Sequence, residues 1–330
     1  MTDASYEHEQ AVAVDAVREA AALCQAVQAD IKDHVLRKKD RTPVTVADFG
    51  SQALICHALR EAFPNDPIIA EEDAAVLRTA DHAGILASVV ERVQVTWPDA
   101  DRTTVCDWID QGNASQYSDR FWTLDPIDGT KGFVRGDQYA IALALVIDGV
   151  PQVAALACPN LPDDLDDPRT TGQVFTAIRG QGAVRLSTDP DDNRSAAITS
   201  SAVDDPSKGR FCDSFVSAHS SHDRAIEVGN HLGITKAPVR LDSQAKYAVV
   251  ARGDVEIYFR LPRGGDYTER IWDHAAGMLL VEAAGGRVTD TRGRDLDFRH
   301  GHLLTENHGI VATNGRFHDE ALAALDAVTG

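Results

Sequence analysis

Apolar positions recur along this chain with two different periods, and the period changes from region to region. Between residues 5 and 31 they recur at helical spacing, which predicts a long amphipathic helix. A second helix is expected over 49–63, where Pro64 would end it. From 121 to 187 short apolar runs alternate with turn residues, which predicts strands. These strands are expected at 68–70, at 121–124, as two strands within 140–158 joined by an Asp-Gly turn, and at 174–178 and 183–186.

Residues 188–194 form a turn-rich segment, and we place a domain boundary there. The chain of 330 residues is long enough for one large unit or for two domains of about 150 residues each. We predict an N-terminal α+β domain over 1–194 and a C-terminal α/β domain over 195–330. In the second domain, strands are expected at 196–199, 239–241, 255–259, 287–289 and 309–312, and helices at 223–233, 243–252, 274–284 and 317–328.

Composition and charge narrow the possible functions. The formal net charge is −19, and a protein that binds nucleic acid in general needs a basic surface, so we expect no nucleic-acid partner. A small phosphorylated substrate stays possible, because it needs only a local basic pocket. The five cysteines are scattered and form no C-x-x-C pair, which is typical of reduced thiols in a cytoplasm. No secretory signal is visible, and the longest apolar stretch is too interrupted to cross a membrane, so we expect a cytoplasmic protein without a membrane partner.

The segment 121–134 (FWTLDPIDGTKGFV) carries the first candidate chemistry. Asp125 and Asp128 leave the end of a predicted buried strand, and Pro126 and Gly129 stiffen the turn between them. Hard carboxylate oxygens on a stiff backbone, with a main-chain carbonyl turned the same way, suit a divalent metal ion. Gly129 and Thr130 would then offer N–H groups and a hydroxyl to a phosphate oxygen at the start of a short helix. A strand followed by an ordinary polar turn is the alternative reading.

Other acidic residues also stand at the ends of predicted elements. Asp48 precedes the second helix, Glu71, Glu72 and Asp73 follow a short strand, and Asp273 begins an apolar helix. Taken one at a time, Asp273 could be a helix N-cap and residues 71–73 a solvated turn. Taken together, carboxylates at converging element ends supply what a site for two or three Mg²⁺ ions needs. Two such ions about 4 Å apart can activate a water and stabilise a leaving phosphoryl oxygen.

Several motifs resemble one family of phosphatases. They are TPVTVAD at 42–48, LDPIDGTKGFVRGDQYAIALALV at 124–146, ACPNLP at 157–162, HSSHD at 219–223, LDSQAKY at 241–247, YFRLP at 258–262 and IWDHAAG at 271–277. The chain resembles the lithium-sensitive, Mg²⁺-dependent phosphatase superfamily that includes inositol monophosphatase and fructose-1,6-bisphosphatase. Lys131 and Gly132, together with the later motifs, make it most similar to the 3'(2'),5'-bisphosphate nucleotidase branch. The resemblance implies a layered α-β-α-β-α sandwich.

The resemblance also implies roles for individual residues. Glu71, Asp125 and the carbonyl of Ile127 would hold a first metal ion. Asp125, Asp128 and Asp273 would hold a second, and Asp48 with Glu71 would help to place a third. Thr130, hydrogen-bonded to Asp48, would orient the attacking water as part of the catalytic machinery. The substrate-binding residues implied are His219, Ser220, Ser243, Lys246 and Arg260, although each basic residue alone could equally be a solvated surface charge. Tyr247 could pack in the core or stack on a base.

By this resemblance the chain is expected to remove the 3'-phosphate of 3'-phosphoadenosine 5'-phosphate, and it could also act on 3'-phosphoadenylyl sulfate. Mg²⁺ would be required, Li⁺ would inhibit, and a monomer is expected. Most metal ligands would come from residues 1–194, and the last metal ligand and the nucleotide-binding residues from 195–330. Two alternatives stay open: an inositol phosphatase on the same scaffold, and a nucleotide sensor without turnover.

Overall fold

Helices and sheets alternate across the computed structural model, which describes residues 5–33, 42–215, 222–262 and 267–329. The helices are α1 (Glu7–Asp33), α2 (Thr42–Ala62), α3 (Ala83–Val93), α4 (Arg102–Asp110), α5 (Thr130–Arg135), α6 (His222–His231), α7 (Ala245–Ala251), α8 (Ala275–Ala283) and α9 (His318–Thr329). The strands are β1 (Ile68–Ala70), β2 (Arg120–Asp128), β3 (Ala140–Ile147), β4 (Val150–Asp164), β5 (Asp167–Ile178), β6 (Ala183–Ser187), β7 (Ser195–Ile198), β8 (Phe211–Asp213), β9 (Val239–Arg240), β10 (Ile257–Arg260), β11 (Arg287–Thr289) and β12 (Ile310–Thr313). Short 3-10 turns lie at Ala80–His82, Pro206–Lys208 and Ile271–Asp273.

The first sheet contains β1 to β7 in sequence order. Strands β1 and β2 are parallel, and each later pair is antiparallel. Both faces of this sheet are buried, so its central strands are apolar at successive positions rather than at alternate ones. On β3, Ile141 and Leu143 belong to one core, and Ala142 and Ala144 belong to the core on the opposite face. The uninterrupted apolar runs of the sequence therefore mark strands that are covered on two sides.

The second sheet has the strand order β11-β12-β10-β8-β9. Helices α1 and α2 cover the outer face of the first sheet, α7 and α8 lie between the sheets, and α6 and α9 cover the outer face of the second sheet. Each helix layer contributes an apolar stripe to one of three cores, which is the packing that such faces require. The predicted α-β-α-β-α sandwich is confirmed.

Three details differ from the expectations. Helix α2 begins at Thr42, seven residues before the predicted start, since proline is tolerated in the first helical turn, where its missing N–H has no intrahelical partner. Strand β8 was not predicted, because its two apolar residues, Phe211 and Cys212, are followed at once by the polar pair Asp213 and Ser214. Strand β7, expected to open the second domain, instead pairs with β6 at the edge of the first sheet. The division at residue 194 stays a prediction.

Two further expectations concern the cysteines and the membrane. All five cysteines are buried free thiols. Within the described ranges, no helix is long and apolar enough to cross a membrane.

Candidate active site

A cavity of about 240 Å³ opens where the ends of elements from both sheets converge. Most of the predicted site residues line it, namely Glu71, Asp125, Ile127, Asp128, Gly129, Thr130, Ser243, Lys246, Arg260 and Asp273. Asp48 is buried in α2 and lies close enough to Glu71 and Glu72 for their charges to raise its pKa, after burial, which is the larger cause. His219 and Ser220 lie outside the described residues, and their roles stay predictions.

Parallel pairing of β1 with β2 brings the first carboxylates together. Ala70 is the register partner of Leu124, so the next residues along the two chains, Glu71 and Asp125, leave the sheet side by side. Their side chains lie close enough for the charge of Glu71 to raise the pKa of Asp125, after burial, which is the larger cause. The pairing of β2 with β3 then shifts in register between Asp125 and Asp128. This irregularity lies at the Pro-Ile step and returns the second aspartate to the cavity.

The carboxylates of Asp125, Asp128 and Asp273 form a tight cluster. One oxygen from each lies within 4.8 Å of the other two. Asp125 is only 2% exposed, and its Oδ1 is buried without a hydrogen-bond partner in the described part of the protein. Such a set of hard oxygen donors, one of them unsatisfied, fits a divalent cation such as Mg²⁺.

Burial and mutual repulsion raise the pKa of these carboxyl groups. Burial and the charges of Asp273, Glu72 and Asp128 raise the pKa of Glu71 to about 8. Burial and Asp273 raise the pKa of Asp128 to about 6, against the lowering effects of Lys246 and Arg260. Burial also raises the pKa of Asp125. The ionised cluster is therefore costly by itself, and bound cations would offset its charge.

One face of α2 supports both acidic turns, a role that the sequence analysis missed. The hydroxyl of Ser51 donates to the carbonyl of Pro126 over 2.9 Å. The Gln52 side chain donates to the carbonyl of Glu72 and accepts from its N–H over 3.0 Å. Asp48, Ser51 and Gln52 share this face because residues three and four apart are neighbours on a helix. The signal was available: these polar residues interrupt an otherwise apolar helix.

Gln244 joins the two halves of the carboxylate cluster. Its N–H donates to Asp128 Oδ2 over 2.6 Å, and its side chain donates to the carbonyl of Trp272 over 2.8 Å. Its Oε1 accepts from the N–H of Gly277 over 3.1 Å. One buried side chain therefore fixes Asp128 relative to the turn that carries Asp273. Sequence reasoning placed Gln244 inside a motif but gave it no role.

Glycines at two positions of the 128–132 turn allow other segments of the chain to approach it closely. Gly129 has a φ of +88°, and a Cβ there would lie 2.9 Å from the Cβ of Ser243. A Cβ on Gly132 would lie 2.0 Å from the carbonyl oxygen of Gln138. These contacts explain physically why glycine follows the aspartate and lysine of this turn. Lys131, exposed between them, lines the cavity.

Lys246 and Arg260 face the carboxylates from the second half of the chain. Lys246 is 4% exposed, and its ammonium donates to the carbonyl of Ser243 over 2.8 Å. Burial lowers its pKa, while the charge of Asp128 raises it. Arg260 donates through Nη2 to Asp273 Oδ2 over 3.1 Å. Lys246 is thus a buried cation and Arg260 a partly buried one, and neither is a solvated surface charge.

Several smaller expectations have clear outcomes. Tyr247 is buried, and its hydroxyl meets His274, so it is a core residue and offers no stacking face. Asp273 ends a 3-10 turn; the residue in the N-cap position of α8 is His274. Asp73 accepts from the N–H of Ala75, as a turn residue does.

The predicted hydrogen bond between Thr130 and Asp48 is absent from the described residues, because Thr130 is exposed and Asp48 is buried.

Comparison with known proteins places this geometry in a family. The model of the inositol monophosphatase family matches residues 3–329. The chain belongs to the inositol monophosphatase family. The family is Mg²⁺-dependent, in agreement with the acidic cluster of the cavity. The predicted resemblance is therefore confirmed at the level of the family.

Relatives of similar length include several nucleotidases. The 3'(2'),5'-bisphosphate nucleotidase of Schizosaccharomyces pombe is 41% identical, and the alignment covers 98% of this chain and 97% of that protein. The protein of the same name from Oryza sativa is 43% identical, over 98% of this chain and 95% of that protein. These similarities extend over nearly the whole length, as does the family match.

Solved structures share the fold. An inositol monophosphatase from Anabaena (Nostoc) sp. PCC 7120 superposes with a TM-score of 0.62 at 25% identity and covers 97% of this chain and 96% of its own. Mycobacterium tuberculosis SuhB gives a TM-score of 0.63 at 24% identity and covers 99% of each chain. These neighbours support the layered sandwich.

Proposed function

We propose that this chain is a metal-dependent 3'(2'),5'-bisphosphate nucleotidase that hydrolyses the 3'-phosphate of 3'-phosphoadenosine 5'-phosphate. The observation that carries the proposal is the pairing, in one cavity, of a carboxylate cluster with two cations, the buried Lys246 and the partly buried Arg260. The nucleotidases that align over nearly the full chain support the choice of substrate. The related sulfated nucleotide, 3'-phosphoadenylyl sulfate, is a second proposed substrate.

The carboxylates would hold two or three Mg²⁺ ions. Glu71, Asp125, Asp128, Asp273 and the carbonyl of Ile127 are the proposed ligands, with Asp48 helping to place the third ion. Bound there, Mg²⁺ would lower the pKa of a water molecule and offset the charge on the phosphoryl oxygens. Li⁺ is proposed to inhibit by competing for one of these positions.

The reaction is the transfer of a phosphoryl group to water. The water oxygen forms a bond to phosphorus, the bond between phosphorus and the ribose 3'-oxygen breaks, and that oxygen takes up a proton to give AMP and inorganic phosphate. Asp48 and Thr130 are the proposed residues that orient the water and accept its proton. The N–H groups of Gly129 and Thr130 lie at the start of α5, where they can bind a phosphate oxygen.

The two cations of the cavity suit a substrate with two phosphates. Such a substrate brings about four negative charges, and only one phosphate can meet the metal ligands. Arg260 can bind the other with its planar fork, and Lys246 acts as a compact point charge. Ser243 lies beside them in the cavity, and His219 and Ser220 are proposed to complete the nucleotide contacts.

Product analysis tests the proposal directly. With Mg²⁺ and the bisphosphate nucleotide, ³¹P NMR should show loss of the 3'-phosphate signal, persistence of the 5'-phosphate signal and growth of inorganic phosphate. Binding without turnover would favour the nucleotide sensor. Loss of the 5'-phosphate would refute the assigned orientation of the substrate.

An inositol phosphatase on the same scaffold is the second candidate, because the family and its solved members include inositol monophosphatases. A substrate with a single phosphate leaves no second anion for Arg260 and Lys246, which is why we favour the nucleotide. We further propose a cytoplasmic monomer that binds neither nucleic acid nor a membrane.

A further inference from the structure

A chain of polar side chains lies behind Arg260, on the side away from the cavity. The Tyr247 hydroxyl lies 2.8 Å from His274 Nδ1, and His274 Nε2 lies 3.2 Å from Glu269 Oε2. The same Glu269 oxygen lies 2.8 Å from Nη2 of Arg260. Nη2 also donates to Asp273 Oδ2. Four contacts thus connect a core tyrosine to a predicted metal ligand.

The members of this chain are buried. His274 is 0% exposed, and Tyr247 and Glu269 are also inside the protein. Glu269 is not among the described residues that line the cavity, so it contacts Arg260 from the side away from the cavity. A buried carboxylate is costly unless it is paired and hydrogen-bonded, and Glu269 has both an arginine and a histidine as partners.

The direction of the hydrogen bonds follows from the chemistry of the groups. An ionised carboxylate only accepts, so Nε2 of His274 carries the proton that is donated to Glu269. When the ring is neutral, a proton on Nε2 leaves Nδ1 to accept from the Tyr247 hydroxyl. Both ring nitrogens are therefore engaged, and the imidazole is held in one orientation.

A second metal site does not explain the cluster. Glu269, Asp273 and His274 do bring ligand atoms within 4.8 Å of one another. However, Glu269 Oε2 already pairs with the Arg260 guanidinium at 2.8 Å and lies 3.2 Å from His274 Nε2, so these groups satisfy one another without an ion. The arrangement suits the placement of an arginine better than the binding of an ion.

We propose that Glu269 is a positioning residue, held by His274, that fixes the Arg260 guanidinium for binding the second anionic group of the substrate. This inference rests on the proposed function. Glu269 supplies a carboxylate that belongs to no metal ligand set, so Arg260 does not depend on Asp273 alone. Without that carboxylate, Arg260 would turn towards Asp273 and would be misplaced for the substrate.

The change Glu269→Gln tests this idea, since it removes the charge and nearly keeps the shape. For 3'-phosphoadenosine 5'-phosphate, KM should rise about tenfold while kcat stays within about threefold, as expected when ground-state binding is lost. For adenosine 3'-monophosphate, which lacks the 5'-phosphate, KM should change less than about twofold. Glu282→Gln is the matched control, because Glu282 also pairs with an arginine, Arg179 at 2.9 Å, elsewhere in the protein.

Variants of His274 supply a second, independent readout. His274→Gln keeps an amide N–H that can donate to Glu269, and His274→Leu does not. The leucine variant should show the same KM split as Glu269→Gln, and the glutamine variant should recover most of the wild-type KM. Equal losses on both substrates, or no loss in any of these variants, would overturn the inference. A wild-type protein that fails to hydrolyse the bisphosphate would instead overturn the proposed function.

Discussion

The two sides of the cavity are built in different ways. The carboxylate face, made of Glu71, Asp125, Asp128 and Asp273, depends mainly on the backbone: parallel strands in register and a fixed turn place the first three. The cationic face, made of Lys246 and Arg260, depends on individual polar contacts: the Lys246 ammonium donates to the carbonyl of Ser243, and the Arg260 guanidinium pairs with the Glu269 carboxylate. Loss of one carboxylate ligand should therefore lower the catalytic rate, and loss of a charge that supports the cationic face should weaken substrate binding. Catalytic rate and substrate preference should separate accordingly.

Loss of one carboxylate should have the largest effect. Asp125→Asn keeps the size of the side chain but removes a charge that is shared by both proposed metal positions. We expect kcat for the bisphosphate to fall by roughly three or more powers of ten, since the ions supply several kcal/mol of charge stabilisation. Phosphate release at saturating Mg²⁺ measures this loss. Near-normal activity would contradict the metal role of the carboxylate face.

Loss of the arginine should act on binding. Arg260→Ala removes hydrogen bonds to a charged phosphate, each worth about 1.5–3 kcal/mol, so KM for the bisphosphate should rise roughly 50-fold. KM for adenosine 3'-monophosphate should change much less. Arg179→Ala is the control at a surface ion pair. Equal changes in KM for the two substrates would show that the cationic face does not bind the second phosphate.

A buried histidine remote from both faces should contribute a loss of stability in acid. His318 is 2% exposed and lies between the hydroxyls of Thr289 and Thr313, each 2.9 Å from one ring nitrogen. Burial, reinforced by Arg287, lowers its pKa from 6.5 to about 4. Between pH 6.5 and about pH 4 the unfolded chain therefore binds a proton at His318 that the folded protein does not bind. The free energy of unfolding falls as the pH is lowered through this range.

The expected cost is about 2 kcal/mol of unfolding free energy at pH 5 relative to pH 7.5. Urea unfolding at several pH values measures it, and His318→Gln should remove this part of the pH dependence. His231→Gln, at an exposed position on α6, should leave the dependence as it is. An unchanged pH profile in the His318 variant would disprove the assignment.

The thiols should show the smallest effect. All five are buried, and burial raises the pKa of each, so little thiolate forms at neutral pH. We expect an aromatic disulfide reagent to leave the native activity unchanged and to label the five cysteines only after unfolding. Rapid labelling with loss of activity would reveal a thiol switch.

The two faces also differ in how far the sequence predicts them. The carboxylates stand directly after apolar runs, and a strand end determines where its next residues lie, so the place of Asp125 and Asp128 at the end of a buried strand can be predicted from the pattern alone, whereas their metal roles were implied by the family resemblance. The alternation of strands and helices likewise predicts the layers. Strand β8 gives no apolar run because Asp213 and Ser214 follow its two apolar residues, and the pairing of β7 with β6 is a choice of sheet that local periodicity does not report.

The supports of both faces were not predictable in the same way. Gln52, Gln244 and Glu269 act through contacts with residues that are distant in sequence or lie around a turn; only Gln52 leaves a local signal, as a polar interruption of an apolar helix. Their types are common on surfaces, so burial alone distinguishes them. Tyr247 shows the converse: an aromatic residue in a substrate motif is a core residue because its hydroxyl has a buried partner.

We propose that the cavity selects a nucleotide with two phosphates. The most direct test compares kcat/KM of the wild-type protein for 3'-phosphoadenosine 5'-phosphate and for inositol 1-phosphate under the same Mg²⁺ concentration. We expect a preference for the nucleotide of at least about tenfold, which corresponds to about 1.4 kcal/mol in transition-state binding. A tenfold preference for inositol 1-phosphate, or equal values for the two, would contradict it.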